Sequence, residues 1–208
     1  GNQGNASKRF MHEPLQPARN SCSSREWVRA VLCAVLFFAL SVTCLAQSEM
    51  TQSDVEAAYL YNFGKFVDWP SQPQSSSAPF TICVLGKDDF GRTLDSLIAN
   101  EATHGRTIVA KRMPMLNSTE GCQILYVGLS EQSRMARYLD ALKDKPILTV
   151  SSLPGFLERG GMIQFVLQEN RVRFAVNLTA ASHCHLTLSA ELLKVALYVN
   201  SKPSREVQ

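Results

Sequence analysis

The sequence predicts an α/β protein, a single domain with a mixed β-sheet flanked by helices, carried behind a targeting leader. Three observations predict it. Short apolar, β-branched runs alternate with segments whose apolar residues recur at helical spacing. Two period-two runs flank Glu169-Asn170 near the C-terminus, the pattern of a hairpin. Residues 1–46 differ in character from everything after them.

The leader comes first. Arg19, Arg25 and Arg29 form a basic flank, and the apolar run from Ala30 to Val42 has the length of a signal h-region, short of the ~20 residues that span a bilayer. Cys44-Leu45-Ala46 places small residues where a signal peptidase needs them, so the mature domain is expected over 47–208. Lipid attachment at Cys44 is the weaker alternative, because Ser41-Val42-Thr43 makes a poor lipobox. Residues 1–10 precede Met11 and stand outside the fold argument. The remainder is long enough to bury one real core.

Charge and cysteines bound the function. Of 21 Lys and Arg and 18 Asp and Glu, five and two lie in the leader, which leaves a balanced mature surface. Such a surface argues against nucleic acid or an anionic membrane as main partner. Cys22, Cys33 and Cys44 leave with the leader, and Cys83, Cys122 and Cys184 remain. In an oxidising compartment, three cysteines suggest one bridge and one leftover thiol.

Thr51 to Val67 reads as a helix started near Ser53 or Asp54, with Val55, Tyr59, Phe63 and Phe66 as its stripe and Pro70 as its stop. Ser71 to Pro79 is a polar linker, expected to be mobile. Phe80 to Leu85 is a strand, followed by Gly86 and an Asp88-started helix carrying Phe90, Leu94, Leu97 and Ile98. Thr107 to Arg112 and Cys122 to Val127 are strands, a helix begins at Ser130 with Met135, Tyr138, Leu139 and Leu142 inward, and Ile147 to Val150 is the next strand. The hairpin pairs Leu167 with Val172 and Phe165 with Phe174, which puts the apolar set on one face and Gln164, Gln168, Arg171 and Arg173 on the other. Ser189 caps a last helix with Leu192, Leu193, Val195, Ala196 and Leu197.

Motifs for chemistry are thin. Asp89-Phe90-Gly91 spells a kinase triplet without the loops that give it meaning, and the chain has no GxGxxG, P-loop or GxSxG. No enzyme and no cofactor is expected. His183-Cys184-His185 could ligate a metal or activate a thiol, yet it supplies too few ligands and reads as a loop before the last helix. Cys83 and Cys122 each lie at or near the start of an apolar strand, where neighbouring strands bring Cα atoms into disulfide range. The alternatives are a bridge or two buried thiols, and export favours the bridge. Gly160-Gly161 either allows a positive φ or a close backbone approach, or is a plain turn. Tyr61 projects among Asp54, Lys65 and Asp68, away from the apolar stripe.

Four ordered segments carry a resemblance. Ala57-Ala58-Tyr59-Leu60-Tyr61-Asn62-Phe63 continuing to Phe66-Val67-Asp68-Trp69-Pro70, then Cys83-Val84-Leu85-Gly86 with Asp88 and Phe90-Gly91, then Gly160-Gly161-Met162-Ile163, then Arg171-Val172-Arg173-Phe174 with Asn177-Leu178, resemble the periplasmic YfiR-like proteins. The resemblance runs from about Thr51 to Val199. It implies a non-enzymatic periplasmic repressor that binds the periplasmic part of an inner-membrane diguanylate cyclase of the YfiN kind, lowering cyclic-di-GMP and biofilm formation. It also implies an outer-membrane lipoprotein of the YfiB kind that sequesters the repressor; a homodimer stays open. Candidate partner-binding residues are Tyr61, Glu158, Arg159, Arg171 and Arg173. Some relatives carry a second cysteine pair between Gly155 and Gln164, where this chain has none. A periplasmic small-molecule binder is the alternative function.

Overall fold

In the computed structural model, residues 25, 27–29, 32, 50–70 and 78–201 are described. The chain divides into two units, Gly1–Glu49 and Met50–Gln208. Residues 25, 27–29 and 32 of the first are helical; the expected cleavage site and lipobox lie outside the described residues, as does most of the Ser71 to Pro79 linker. No helix among the described residues is long and apolar enough to cross a membrane.

Helix α1 (Gln52–Phe66) falls within the Thr51 to Val67 span read from the sequence, and its start is set by Thr51 rather than by Ser53 or Asp54. Thr51 is its N-cap, and the cap is reciprocal: Asp54 N donates to Thr51 Oγ1 at 3.2 Å while Thr51 N donates to Asp54 Oδ2 at 2.9 Å. Its end is set by pairing rather than by Pro70. Val67–Asp68 (β1) turns extended and pairs antiparallel with Thr187–Leu188 (β9). Its inward face also differs from the expected stripe: Ala57, Leu60, Phe63 and Gly64 are buried, Val55 and Tyr59 are half-buried, and Phe66 is 39% exposed. The small residues decide this. A Cβ on Gly64 would sit 3.2 Å from the Phe80 ring, so the helix lies closest to the sheet along the Ala57–Gly64 line.

The remaining elements are β2 (Phe80–Leu85), α2 (Arg92–Ile98), β3 (Ala102–Thr103), β4 (Arg106–Met113), β5 (Cys122–Val127), a 3₁₀ turn (Leu129–Arg134) running into α3 (Met135–Leu142), β6 (Leu148–Ser151), β7 (Ile163–Gln168), β8 (Arg171–Asn177), α4 (Leu178–His183), α5 (Ala190–Val195) and β10 (Val199–Asn200). The helix expected from Ser130 is thus 3₁₀ over its first part. Asp88 does not cap α2; its Oδ1 accepts from Phe90 N and Gly91 N and shapes the turn before the helix.

The eight-stranded sheet has the order β10-β8-β7-β6-β5-β2-β4-β3. Strands β4, β2, β5, β6 and β7 run parallel, β8 is antiparallel to β7, and β3 is antiparallel to β4. The sheet is therefore mixed and flanked by helices, an α/β domain. Its faces alternate residue by residue. Phe80, Ile82 and Val84 pack with α1 and α2 residues such as Leu60, Phe63, Leu94 and Ile98, while Cys83 and Leu85 pack with Met135, Tyr138, Leu139 and Leu142 of α3. Strand order reverses between β2 and β5, the switch point of a doubly wound sheet.

The hairpin adopts the register written from the sequence, Phe165 opposite Phe174 and Leu167 opposite Val172. Glu169 and Asn170 both have positive φ, 49° and 59°, as a two-residue hairpin turn requires. The apolar face is not sealed along its whole length. Phe165 stacks on Phe63 and Phe174 meets Tyr59 and Phe63 edge-on, but Leu167 near the tip is 58% exposed.

Candidate functional site

Open α/β sheets bind ligands outside the carboxyl ends of their strands at the switch point. Here that crevice is filled from within. Gly86 has φ 88°, and a Cβ on it would lie 2.4 Å from Ser130 Oγ and 2.7 Å from Glu131 Cγ. Lys87 N donates to Ser130 Oγ at 2.9 Å. Glu131 is buried and receives Arg134 Nε at 2.9 Å and Tyr138 OH at 3.2 Å. Burial works against its charge, but Arg134, Ser130 and Tyr138 outweigh it and hold the carboxyl below the ordinary range. The fold's usual small-molecule position is thus taken by Ser130 and Glu131, which pack against Gly86 and are hydrogen-bonded within the protein.

Cys83 and Cys122 form a disulfide with Cα atoms 5.8 Å apart. Cys83 is the fourth residue of β2, not its start. The pairing depends on an irregularity that strand patterning does not reveal. Thr81 pairs with Cys122 and Ile82 with Ile124, so Gln123 is an extra residue in β5. Strict alternation would place Cys122 on the face of Ile124 and Tyr126; the bulge turns it to the face of Cys83, Leu85 and Leu125. The bulge's polar groups are satisfied, since Gln123 Oε1 accepts from Thr81 N at 2.6 Å and Gln123 O accepts from Trp69 Nε1 at 3.2 Å. The third cysteine is buried in helix-turn structure rather than in a plain loop. Cys184 Sγ donates to Lys143 O at 2.9 Å, and burial, then Asp144, pushes its thiol up, away from a reactive thiolate. His183 turns to Asp144 at 3.2 Å, and no metal-holding group of three His, Cys, Asp or Glu occurs among the described residues.

Beside this turn lies a cavity of about 530 Å³ with Leu142, Leu157 and Met162 among its apolar walls and Lys143, Glu158 and His183 among its polar ones. Both glycines of Gly160-Gly161 serve the loop at its edge. Gly160 has φ 94°, and a Cβ on Gly161 would lie 2.2 Å from the Phe156 ring.

The five candidate contact residues fall on two surfaces. Tyr61 belongs to the α1 side of the sheet and is already engaged: its hydroxyl donates to Glu101, and Lys65 Nζ lies 4.1 Å from its ring centroid. Arg171 and Arg173 project from β8 on the opposite face from Phe165 and Phe174, beside Val166 and Gln168. Glu158 and Arg159 are exposed on the β6–β7 connection, whose Leu157 N donates to Gln164 Oε1 at 3.3 Å, on that same face. The arginines and the Glu158–Arg159 loop therefore share a side that Tyr61 does not.

Buried titratable groups escaped the sequence reading: Arg106, Glu131 and, beneath α1, Glu56. Glu56 is only 3% exposed, beneath the first turns of α1, with Gln52 Nε2 donating at 2.8 Å and Tyr126 OH at 3.4 Å. Burial pushes its carboxyl up, against the hydrogen bonds from Gln52, Ser152 and Tyr126. The available signal was its place one residue before Ala57 and four before Leu60, inside the true inward face.

A family model described as YfiR/HmsC-like matches residues 53–197, most of the chain and nearly all of the sheet-bearing unit. No curated protein matches the chain.

Proposed function

The chain belongs to the YfiR/HmsC-like family, and from that premise we propose that it is a periplasmic regulator that represses an inner-membrane diguanylate cyclase of the YfiN kind by binding its periplasmic part. Export removes residues 1–46, cyclic-di-GMP falls while the complex persists, and an outer-membrane lipoprotein of the YfiB kind relieves repression by taking the regulator away. The protein acts by binding rather than catalysis.

The observation that carries this reading is the family match across 53–197. The filled switch-point crevice supports it, because a protein whose fold-typical ligand position is occupied by Ser130 and Glu131 has its remaining functional surface on the outside. The small-molecule reading has one observation of its own, the cavity beside His183 and Glu158.

Crosslinking in intact envelopes followed by co-purification tests the regulator directly. The expected result is a cyclase captured with the protein, and higher cyclic-di-GMP in cells lacking it. Absence of both would overturn the proposal. N-terminal sequencing of the captured material should begin near Gln47.

A further inference from the structure

In an antiparallel pair the backbone groups of alternate residues point away from the partner strand. For β8, Leu197 N donates to Phe174 O at 2.7 Å and Val176 N donates to Tyr198 O at 3.0 Å, so the outward row is Val172, Phe174, Val176. The segment leading into β10 covers only the later part of that row, because β10 itself pairs with Val176 and Asn177. Val172 N–H and C=O extend the row beyond this cover, with no bond from β10 or its lead-in among the described residues. An open strand edge is a template for another strand.

The side chains around this opening have a definite chemistry. Arg171 and Arg173 are exposed on one face, and neither is in an ion pair among the described residues. Val172 lies on the other face, opposite the exposed Leu167. A second copy is a poor occupant. Antiparallel self-pairing about Val172 would set Arg171 opposite Arg173 of the other copy, and like charges directly opposite destabilise a pair.

We infer that the uncovered end of the β8 edge, at Val172, docks an extended partner segment with carboxylates at alternate positions and apolar residues between them. Backbone bonds to Val172 supply attachment, the arginines select the carboxylates, and the apolar residues cover Val172 and Leu167. This deepens the regulator reading and rests on it for the partner, in which the segment would lie in the cyclase's periplasmic part.

The test uses the mature protein and two synthetic probes, a short peptide alternating Glu with Val and its Lys counterpart. The expected result is binding of the Glu peptide alone, slowed amide exchange at Val172, and at least tenfold weaker binding to the Arg171→Glu/Arg173→Glu double variant, which gains the Lys peptide while melting unchanged. No binding, equal binding of both peptides, or binding with Val172 exchange unaltered would overturn the inference, the last because it means exposed ion pairing only. If the double variant unfolds, Val172 exchange in the unmodified protein decides. Capture of the cyclase separates this from the broader reading. Equal capture by both proteins sinks the edge site and leaves the regulator, whereas peptide docking with neither cyclase capture nor higher cyclic-di-GMP in cells lacking the protein keeps the edge and sinks the regulator.

Discussion

Strands β2, β5 and β6 are buried at every residue, whereas the β7–β8 hairpin is buried at its base and open at its tip. The two regions use the same sheet in opposite ways. These three central strands lie between α1 and α2 on one face and α3 on the other, so they carry largely apolar runs such as Phe80–Leu85 with a strand paired on each side. The hairpin has a helix on one face only, and its far end has neither a helix over Leu167 nor a strand beside Val172. Stability is therefore concentrated in the parallel half, and the hairpin tip is left available for recognition.

Truncation should break the comparison if it is wrong. Ile82→Ala, at a fully buried position between the two helical layers, should destabilise by about 2–5 kcal/mol in chemical denaturation. A loss near that of a surface substitution would mean that the parallel half is not the stable core. Next in size is the bridge. Replacing Cys83 and Cys122 together by Ser should lower unfolding free energy by roughly 2–4 kcal/mol, and Cys184→Ser should cost much less because a hydroxyl can keep the bond to Lys143 O. Non-reducing peptide maps should join Cys83 to Cys122; a map joining Cys184 to either would refute the pairing.

A smaller effect sharpens how α1 seats on the sheet. Burial raises the Glu56 carboxyl above its unfolded value of 4.5, so the folded protein holds that proton more tightly than the unfolded chain. The contribution is fully present below the unfolded value and is lost as pH rises through the raised one. Glu56→Gln should thus remove a fall in stability between mildly acidic and neutral pH, read as a flatter melting temperature against pH. An unchanged slope would mean that Glu56 is not the group responsible. Smallest of all, Leu167→Ala should stay within about 0.5 kcal/mol, as exposed substitutions do. A loss of 2 kcal/mol would show that the hairpin tip is packed after all.

Much of this contrast was legible in the residues. Continuous apolar runs marked the buried strands, and alternation around Glu169-Asn170 gave the hairpin register residue for residue. Arg171 and Arg173 were placed on the outer face by the same alternation. Helical periodicity placed Tyr61 beside Lys65, and Lys65 Nζ does lie over its ring, but the bond from its hydroxyl to Glu101, 40 residues away, is one that periodicity cannot see. Helix α4, with Ala181 and Cys184 turned inward, was missed because six residues are too few to establish a period.

By itself the sequence determined the α/β class, the six longer strands, the hairpin pairing and the family, since these rest on local periodicity and on ordered motifs; the two-residue strands β1, β3, β9 and β10 are too short to show a period. Tertiary structure decided three other things. Gly64 against Phe80 chose which face of α1 is inward, because the Phe80 ring packs where a larger residue's side chain would stand. The extra residue Gln123 turned Cys122 toward Cys83, because a bulge inverts a strand's faces without changing its composition. The point where β10's cover of β8 gives out decided that Val172 stands open, and no local pattern encodes where a neighbouring strand begins.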